Sequence, residues 1–162
     1  MQDPDLNLLV TAAKKAGELA KNYDFRKLKV SEKEGGAGPV TEADIEIDRM
    51  LFKYLTSARP DYGWLCEEST SDIPHYEKNC AFVIDPIDGT RDFIKGGNNW
   101  SHSFSVVKNG KVSAAVVYVP KQDLLFSAYL GGGSWLNGER LQIKELSNSC
   151  LLYTSPSPRD GS

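Results

Sequence analysis

Two aspartates in one tight segment are the residues of this sequence best placed to do chemistry. The hexapeptide Asp85–Thr90 reads Asp-Pro-Ile-Asp-Gly-Thr and follows the apolar run Ala81–Ile84, which predicts a buried strand that delivers both carboxylates into a turn. Hard cations such as Mg²⁺ need oxygen ligands, and Asp85, Asp88 and a backbone carbonyl between them offer several. Gly89 would let a ligand approach the backbone closely, and nearby amides would bind an anion. The segment predicts a meeting point for a cation and a phosphate, although an Asp-Pro turn capped by Asp88 is the structural alternative.

A third carboxylate, Asp44, belongs to a predicted helix whose apolar residues lie on the same face. Thr41 and Asp44 resemble a capping box, and the apolar pattern continues to the neighbourhood of Pro60. Asp44 precedes Ile47 by three positions and Leu51 by seven, so its side chain projects toward the apolar stripe. A buried carboxylate is tolerated when it coordinates a metal or is fully hydrogen-bonded, which makes Asp44 a candidate site residue. The alternative is that Asp44 serves only the first helical turn.

Two adjacent glutamates follow the apolar run Gly63–Cys66. Because neighbouring residues on a strand point to opposite faces, we expect only one of Glu67 and Glu68 to reach the site. Adjacent glutamates are also ordinary on a solvated surface. Their place after a buried strand is what favours a functional role.

The elements that must position these residues predict an α+β fold, because two helices are followed mainly by strands and hairpins. The first helix starts at Asp5, a predicted N-cap, and the second starts at Thr41. Residues 34–39 break all periodicity and predict a mobile loop, and residues 85–99 a second loop. Asn109 and Gly110 predict a hairpin turn. The predicted strands are Leu28–Lys33, Gly63–Cys66, Ala81–Ile84, Ser103–Val107, Lys111–Val119, Leu124–Tyr129 and Leu141–Ile143.

Composition excludes some classes of function. A net charge of −3 over 162 residues gives no basic surface for a nucleic acid polymer. Cys66, Cys80 and Cys150 lack the paired spacing of a zinc or redox site, which favours a reducing compartment. No membrane span or signal peptide is apparent, so we expect a cytoplasmic protein with no membrane partner.

The last segment, 147–162, changes abruptly to Ser, Pro and Thr and is predicted to lie outside the fold. The stretch 150–160 also resembles translated sequencing-adapter read-through. A native disordered tail is the alternative, and Leu151, Leu152 and Tyr153 would equally suit the start of a strand.

Four separated segments carry a resemblance to a known family. Lys33, Val40–Asp44, Glu67–Ser69 and Asp85–Thr90 resemble, in order and spacing, the inositol monophosphatase superfamily of Mg²⁺-dependent, lithium-sensitive phosphatases. The likeness runs from the first helix to Leu141. It implies that residues 1–149 are the N-terminal metal-binding half of a layered αβαβα sandwich, with two helices on a largely antiparallel sheet. It also implies that residues 150–162 are an artefactual or disordered tail and that the family's C-terminal α/β domain is absent.

The resemblance implies roles for the carboxylates. Glu67, Asp85 and the Ile87 carbonyl would hold one Mg²⁺, and Asp85 and Asp88 would contribute to a second. Glu67 also resembles the ligand of a loosely held third ion, and Lys33 lies on the loop that closes over the site.

The same likeness implies a catalytic pair and a phosphate contact. Thr90, hydrogen-bonded to Asp44, would orient and help deprotonate the attacking water. The amides of Gly89 and Thr90 would hold the phosphate, and Asp88 and Arg91 lie beside the substrate.

The segment Arg91–Gly96 resembles the 3′(2′),5′-bisphosphate nucleotidase branch, so we expect hydrolysis of 3′-phosphoadenosine 5′-phosphate to AMP. Arg91 would meet a second phosphate, although a surface ion pair is the alternative. Inositol-1-monophosphatase or sugar bisphosphatase activity is the next hypothesis, followed by an inactive metal- or phosphate-binding module. The partner is a small phosphate ester, and the family likeness is compatible with a homodimer of the full-length protein.

The sequence departs from the family in one respect: the later Trp-Asp motif, which supplies the remaining second-metal carboxylate, has no counterpart. We therefore expect the 162-residue chain alone to be poorly active and prone to aggregate. His75 and His102 are expected to be structural or surface residues, and Cys66 a buried, inert thiol. The three tryptophans are expected in the core or at its rim (Trp64, Trp100 and Trp135).

Overall fold

The computed structural model describes residues 3–68 and 78–142, and these form three helices and a mainly antiparallel sheet. The α+β class predicted from the sequence is confirmed. The helices are α1 (Pro4–Lys21), α2 (Glu42–Ala58) and the short α3 (Thr90–Ile94). The strands are β1 (Val30–Glu32), β2 (Pro39–Thr41), β3 (Gly63–Cys66), β4 (Cys80–Asp88), β5 (Ser101–Lys108), β6 (Lys111–Val119), β7 (Leu124–Tyr129), β8 (Gly133–Leu136) and β9 (Glu139–Arg140).

Seven of these strands form one sheet in the order β3-β4-β5-β6-β7-β8-β9, so each strand pairs with its neighbour in sequence. Only β3 and β4 are parallel, and the other pairs are antiparallel. β1 and β2 form a separate two-stranded hairpin joined by a 3₁₀ turn at residues 34–36. The parallel pair matters for function because both of its strands end at the same edge of the sheet.

Local sequence signals explain where α2 and the β5–β6 hairpin begin and end. Thr41 caps α2 by a reciprocal capping box with Asp44, as predicted. Asn109 and Gly110 join β5 to β6, both with positive φ (50° and 75°), which is the backbone that a tight two-residue hairpin turn requires.

The core lies between α1 and α2 and one face of the large sheet. The apolar face of α1 packs on β5, β6 and β7, and α2 packs on β4. Trp64 and Trp100 are almost fully buried and Trp135 lies at the rim, in agreement with the expectation from the sequence.

A buried ion network ties α1 to α2 and the sheet. Asp5 is 3% exposed, and its carboxylate accepts hydrogen bonds from Arg59 Nε and Tyr62 Oη, both at 2.9 Å. Lys108 Nζ lies 2.7 Å from the same carboxylate. Burial alone would raise the pKa of Asp5, but the hydrogen bonds from Lys108 and Tyr62 outweigh it and lower the pKa.

Some predicted boundaries were wrong. The N-cap of α1 is Asp3, whose carboxylate accepts from the amides of Asp5 and Leu6, and Asp5 lies inside the first turn. β4 runs on through Asp88 instead of ending at Ile84, and α3 occupies part of the predicted loop 85–99. At the end of the sheet, β9 covers Glu139–Arg140, before the predicted strand at 141–143.

Several predictions lie outside the described residues. These concern Ser69, His75, Cys150, the residue at 143 and the segment 147–162. Within the described part, Cys66 and Cys80 form no disulfide. No helix there has the length and apolar character that a membrane span requires.

Candidate active site

The parallel pairing of β3 and β4 brings Glu67 and Asp85 together. Cys66 pairs with Ile84, and each strand continues directly into the carboxylate that follows. The Glu67 amide donates to the Ile84 carbonyl at 3.1 Å, which extends the pairing by one residue. Two acidic side chains 18 positions apart therefore lie side by side at one edge of the sheet.

A bulge in β4 adds Asp88 to this edge. Asp85 is opposite Ser103 and Asp88 is opposite Ser101, so β4 carries two residues where β5 carries only His102. Gly89 then turns the chain into α3 with φ of 90°, and a Cβ at Gly89 would lie 3.0 Å from the Asn99 carbonyl oxygen. Only glycine fits this turn without strain.

Asp44 is completely buried, as its spacing along α2 predicted. Its Oδ2 accepts hydrogen bonds from the Thr41 amide at 2.8 Å and the Thr41 hydroxyl at 2.5 Å. Its Oδ1 is buried and has no hydrogen-bond partner among the residues that the structure describes. Burial, opposed by these bonds from Thr41, raises the pKa of Asp44.

The expected hydrogen bond between Thr90 and Asp44 is absent from the described structure. The Thr90 hydroxyl instead donates to the Ile87 carbonyl at 3.0 Å, three residues back in the chain. Asp44 uses one oxygen in the capping box, and its second oxygen remains the one available to the site.

The Lys33 ammonium contacts both glutamates that follow β3. Its Nζ lies 2.7 Å from Glu67 Oε1 and 2.7 Å from Glu68 Oε1. Burial alone would lower the pKa of Lys33, but the bonds to Glu67 and Glu68 outweigh it and raise the pKa. The β1–β2 hairpin, whose first strand leads into Lys33, is thus tied to the end of β3.

Glu68 is the residue that the sequence reasoning missed. β3 ends at Cys66, so the alternation of faces along a strand no longer separates Glu67 from Glu68. The Glu68 side chain is 4% exposed, and burial raises its pKa while Lys33 opposes the shift. The apolar run ends at Cys66, and this was the sequence signal that the strand stops before Glu67 and Glu68.

Other carboxylates crowd Asp85. Burial, followed by the negative charges of Glu67 and Asp88, raises the pKa of Asp85 to about 7. Its Oδ1 is buried, and within residues 3–68 and 78–142 it has no hydrogen-bond partner. A carboxylate crowded by other carboxylates gains most from a cation, because the cation relieves the repulsion.

These residues offer the oxygen chemistry that Mg²⁺ prefers. Asp85 has an oxygen without a hydrogen-bond partner in the described part of the chain and is crowded by Glu67 and Asp88, so acceptors exceed donors around it. No three His, Cys, Asp or Glu side chains within residues 3–68 and 78–142 converge as a ready-made metal site. The Lys33 ammonium instead neutralises part of the cluster. The donor set therefore fits a hard divalent cation, and an entering cation would compete with Lys33.

Replacing Lys33 with methionine should tighten divalent cation binding by about threefold to tenfold. The change removes a positive charge that contacts two of the carboxylates, a contact worth on the order of 1 kcal/mol at a partly solvated site. Calorimetric titration with Mg²⁺ measures the effect. Lys29→Met is the matched control, because Lys29 pairs with Glu42 at 3.9 Å on an exposed surface. Weaker Mg²⁺ binding by Lys33→Met would show that Lys33 holds the ligands in place.

Arg91 lies in the first turn of α3 with an exposed side chain. Within the described residues its guanidinium forms no ion pair, so the alternative of a surface ion pair finds no support there.

His102, expected to be structural or at the surface, is fully buried and contacts the bulge.

Known proteins resemble this chain along most of its length. An inositol-1-monophosphatase from Rhizobium meliloti is 36% identical over 156 residues, which are 93% of this chain and 58% of that protein. The Nus factor SuhB of Escherichia coli K12 is 36% identical over 140 residues, 86% of this chain and 52% of that protein. The crystal structure of the extragenic suppressor protein suhB from Bartonella henselae superimposes with a TM-score of 0.81 and 35% identity, over 89% of this chain and 56% of that one.

The chain spans between half and three fifths of the length of these relatives. The fold seen in the Bartonella protein confirms the predicted fold family. A family model described as the inositol monophosphatase family matches residues 1–160. With the shared fold and these identities, the match shows that the chain belongs to the inositol monophosphatase family.

Proposed function

We propose that this chain supplies the cation-binding carboxylates of a Mg²⁺-dependent phosphomonoesterase. The observation that carries the proposal is that β3 and β4 deliver Glu67, Asp85 and Asp88 to one edge of the sheet, where burial and the charges of Glu67 and Asp88 raise the pKa of Asp85 to about 7. Glu67, Asp85, Asp88 and the Ile87 carbonyl would hold the ion, as the family likeness implies. Mg²⁺ bound there would neutralise phosphate charge, lower the pKa of the attacking water and stabilise the leaving alkoxide.

The chain's own residues have distinct tasks in this proposal. Asp44 would accept a proton or orient the water through its free Oδ1, since its Oδ2 is held by Thr41. Thr90 would act beside it once its hydroxyl leaves the Ile87 carbonyl. The Gly89 and Thr90 amides would contact the phosphate, and the Lys33 hairpin would close over it.

The proposed domain organisation follows from the family. Residues 1–149 would form the N-terminal metal-binding half, and residues beyond it would lie outside that unit. The chain spans between half and three fifths of the length of its relatives. Recognition of the leaving group is therefore assigned to the part of those relatives that this chain does not cover.

The comparison with relatives supports inositol 1-phosphate as the first candidate substrate of this chain, since the Rhizobium protein is called an inositol-1-monophosphatase. Neither that protein nor the two SuhB proteins is called a nucleotidase. The exposed Arg91 favours the second candidate, 3′-phosphoadenosine 5′-phosphate, because a guanidinium beside the first phosphate suits a second one.

Parallel phosphate-release assays on both substrates, with Mg²⁺ and with a chelator, test the proposal. They should use the longest form of the protein that carries this chain. Arg91→Gln should slow phosphate release from the nucleotide and leave release from inositol 1-phosphate unaffected, with Lys95→Gln as the exposed control at the C-cap of α3. Equal release with and without the chelator would refute Mg²⁺ dependence.

The variant Asp44→Asn distinguishes the hypothesis of an enzyme from that of a non-catalytic binding module. In an enzyme this change should reduce turnover by about 100-fold or more while Mg²⁺ binding stays intact. Turnover equal to that of the parent protein would remove Asp44 from the catalytic machinery.

A further inference from the structure

His102 occupies an unusual position beside the proposed cation site. It is fully buried on β5 and is the single residue opposite the two-residue bulge of β4. Its Nδ1 hydrogen-bonds the Pro86 carbonyl oxygen, so Nδ1 must carry the proton because a carbonyl only accepts. Its Nε2 is buried and has no hydrogen-bond partner in the described part of the chain.

The surroundings of the ring fix its orientation. Trp100, Phe104 and Tyr118 pack around it, with ring centroids 5.5, 6.0 and 6.4 Å away. A purely apolar residue would pack here without leaving a bare nitrogen in the core. The cost of burying that nitrogen indicates that the single bond to Pro86 has a purpose.

The Pro86 carbonyl lies between the proposed ligands. It shares a peptide plane with the Ile87 amide, and Pro86 itself has no N–H to contribute to the ladder. Holding that plane restricts the rotation that sets the Ile87 carbonyl and the Asp88 side chain on one side and Asp85 on the other. A bulge without this bond would keep more conformational freedom.

We propose that His102 is a positioning residue, whose Nδ1–H holds the Pro86 carbonyl and thereby fixes the bulge that carries Asp85, Ile87 and Asp88. The inference rests on the proposed function in that these three residues are its cation ligands. Groups that orient ligands typically change metal affinity by about 10–100-fold when they are removed.

Two isosteric replacements of His102 test the proposal. Asn places an amide donor at the position of Nδ1, whereas Gln places it at the position of Nε2. His102→Asn should bind Mg²⁺ within about threefold of the parent protein, and His102→Gln should bind about tenfold more weakly in calorimetric titration. Equal affinity of the two variants would overturn the proposal.

Two further measurements separate positioning from packing and from the cation proposal. Phe104→Leu removes ring contacts on the same strand without touching Pro86, so it should lower stability and leave Mg²⁺ affinity unchanged. In the chelator-treated protein, amide hydrogen exchange at Ile87 and Asp88 should be about tenfold faster in His102→Gln than in His102→Asn. Unchanged exchange would refute the role of His102 in the bulge, whereas a parent protein that binds no Mg²⁺ but shows the exchange difference would refute only the cation site.

Discussion

Asp85→Asn should stabilise the chelator-treated protein and abolish its stabilisation by Mg²⁺. The pKa of Asp85 is about 7 in the folded chain, against an ordinary value of 3.8. A raised pKa means that the folded state binds the proton more tightly, so ionised Asp85 destabilises the fold above about pH 7. That penalty is relieved as the pH falls from about 7 toward about 4. Asparagine cannot ionise and lacks the penalty at every pH.

The gain in the melting temperature should be about 3 °C near neutral pH, which corresponds to roughly 1 kcal/mol once solvent screening is allowed for. With Mg²⁺ at about 100 times its dissociation constant, the parent protein should gain about 2.7 kcal/mol, and the variant almost nothing. Thermal unfolding with chelator and with Mg²⁺ measures both effects. Asp61→Asn removes an exposed charge at the far end of β3 and should change neither. A variant less stable than the parent in chelator would contradict the crowding of carboxylates around Asp85.

Asp5→Ala should cost about 3 kcal/mol of the free energy of unfolding. The carboxylate is 3% exposed and binds Arg59, Tyr62 and Lys108, which come from the end of α2, the following turn and the end of β5. Removing it leaves two cations and a hydroxyl without this acceptor, and α1 loses the ion pair that adds to its apolar packing on the sheet.

Denaturant unfolding at neutral pH measures this cost, and Asp24→Ala is the control. Asp24 pairs with Arg26 at 4.0 Å with both side chains exposed, so its loss should cost less than about 0.5 kcal/mol. Because the pKa of Asp5 is lowered in the folded state, its contribution to the free energy of unfolding is fully present above its ordinary pKa. That contribution is lost as the pH falls through the pKa of the folded state. Equal losses for the two variants would show that the network does not stabilise the fold.

Features set by local sequence could be predicted. The capping box at Thr41, the hairpin turn at Asn109 and the inward face of Asp44 each depend on residues within one or two turns. The family motifs likewise indicated which carboxylates would meet, and the parallel pairing of β3 with β4 places Glu67 beside Asp85.

Features set by contacts between distant residues could not be predicted from the sequence. Asp5 resembled a helix cap, yet Asp3 serves as the cap and Asp5 is buried by partners more than 50 positions away. The bond from His102 to Pro86 depends on a bulge that appears only when β4 and β5 pair. The helix α3 was not predicted, because Gly89 starts it from a left-handed backbone and no side chain in the described part of the chain caps it.

The pH dependence of Mg²⁺ binding tests the central claim most directly, namely that the carboxylates around Asp85 hold the cation. Mg²⁺ must displace the proton from Asp85, so affinity should fall as the pH drops below about 7. Calorimetric titration of the parent protein should give about tenfold weaker binding near pH 6 than near pH 8, and no comparable dependence for residual binding by Asp85→Asn. The same affinity at both pH values in the parent protein would contradict the account.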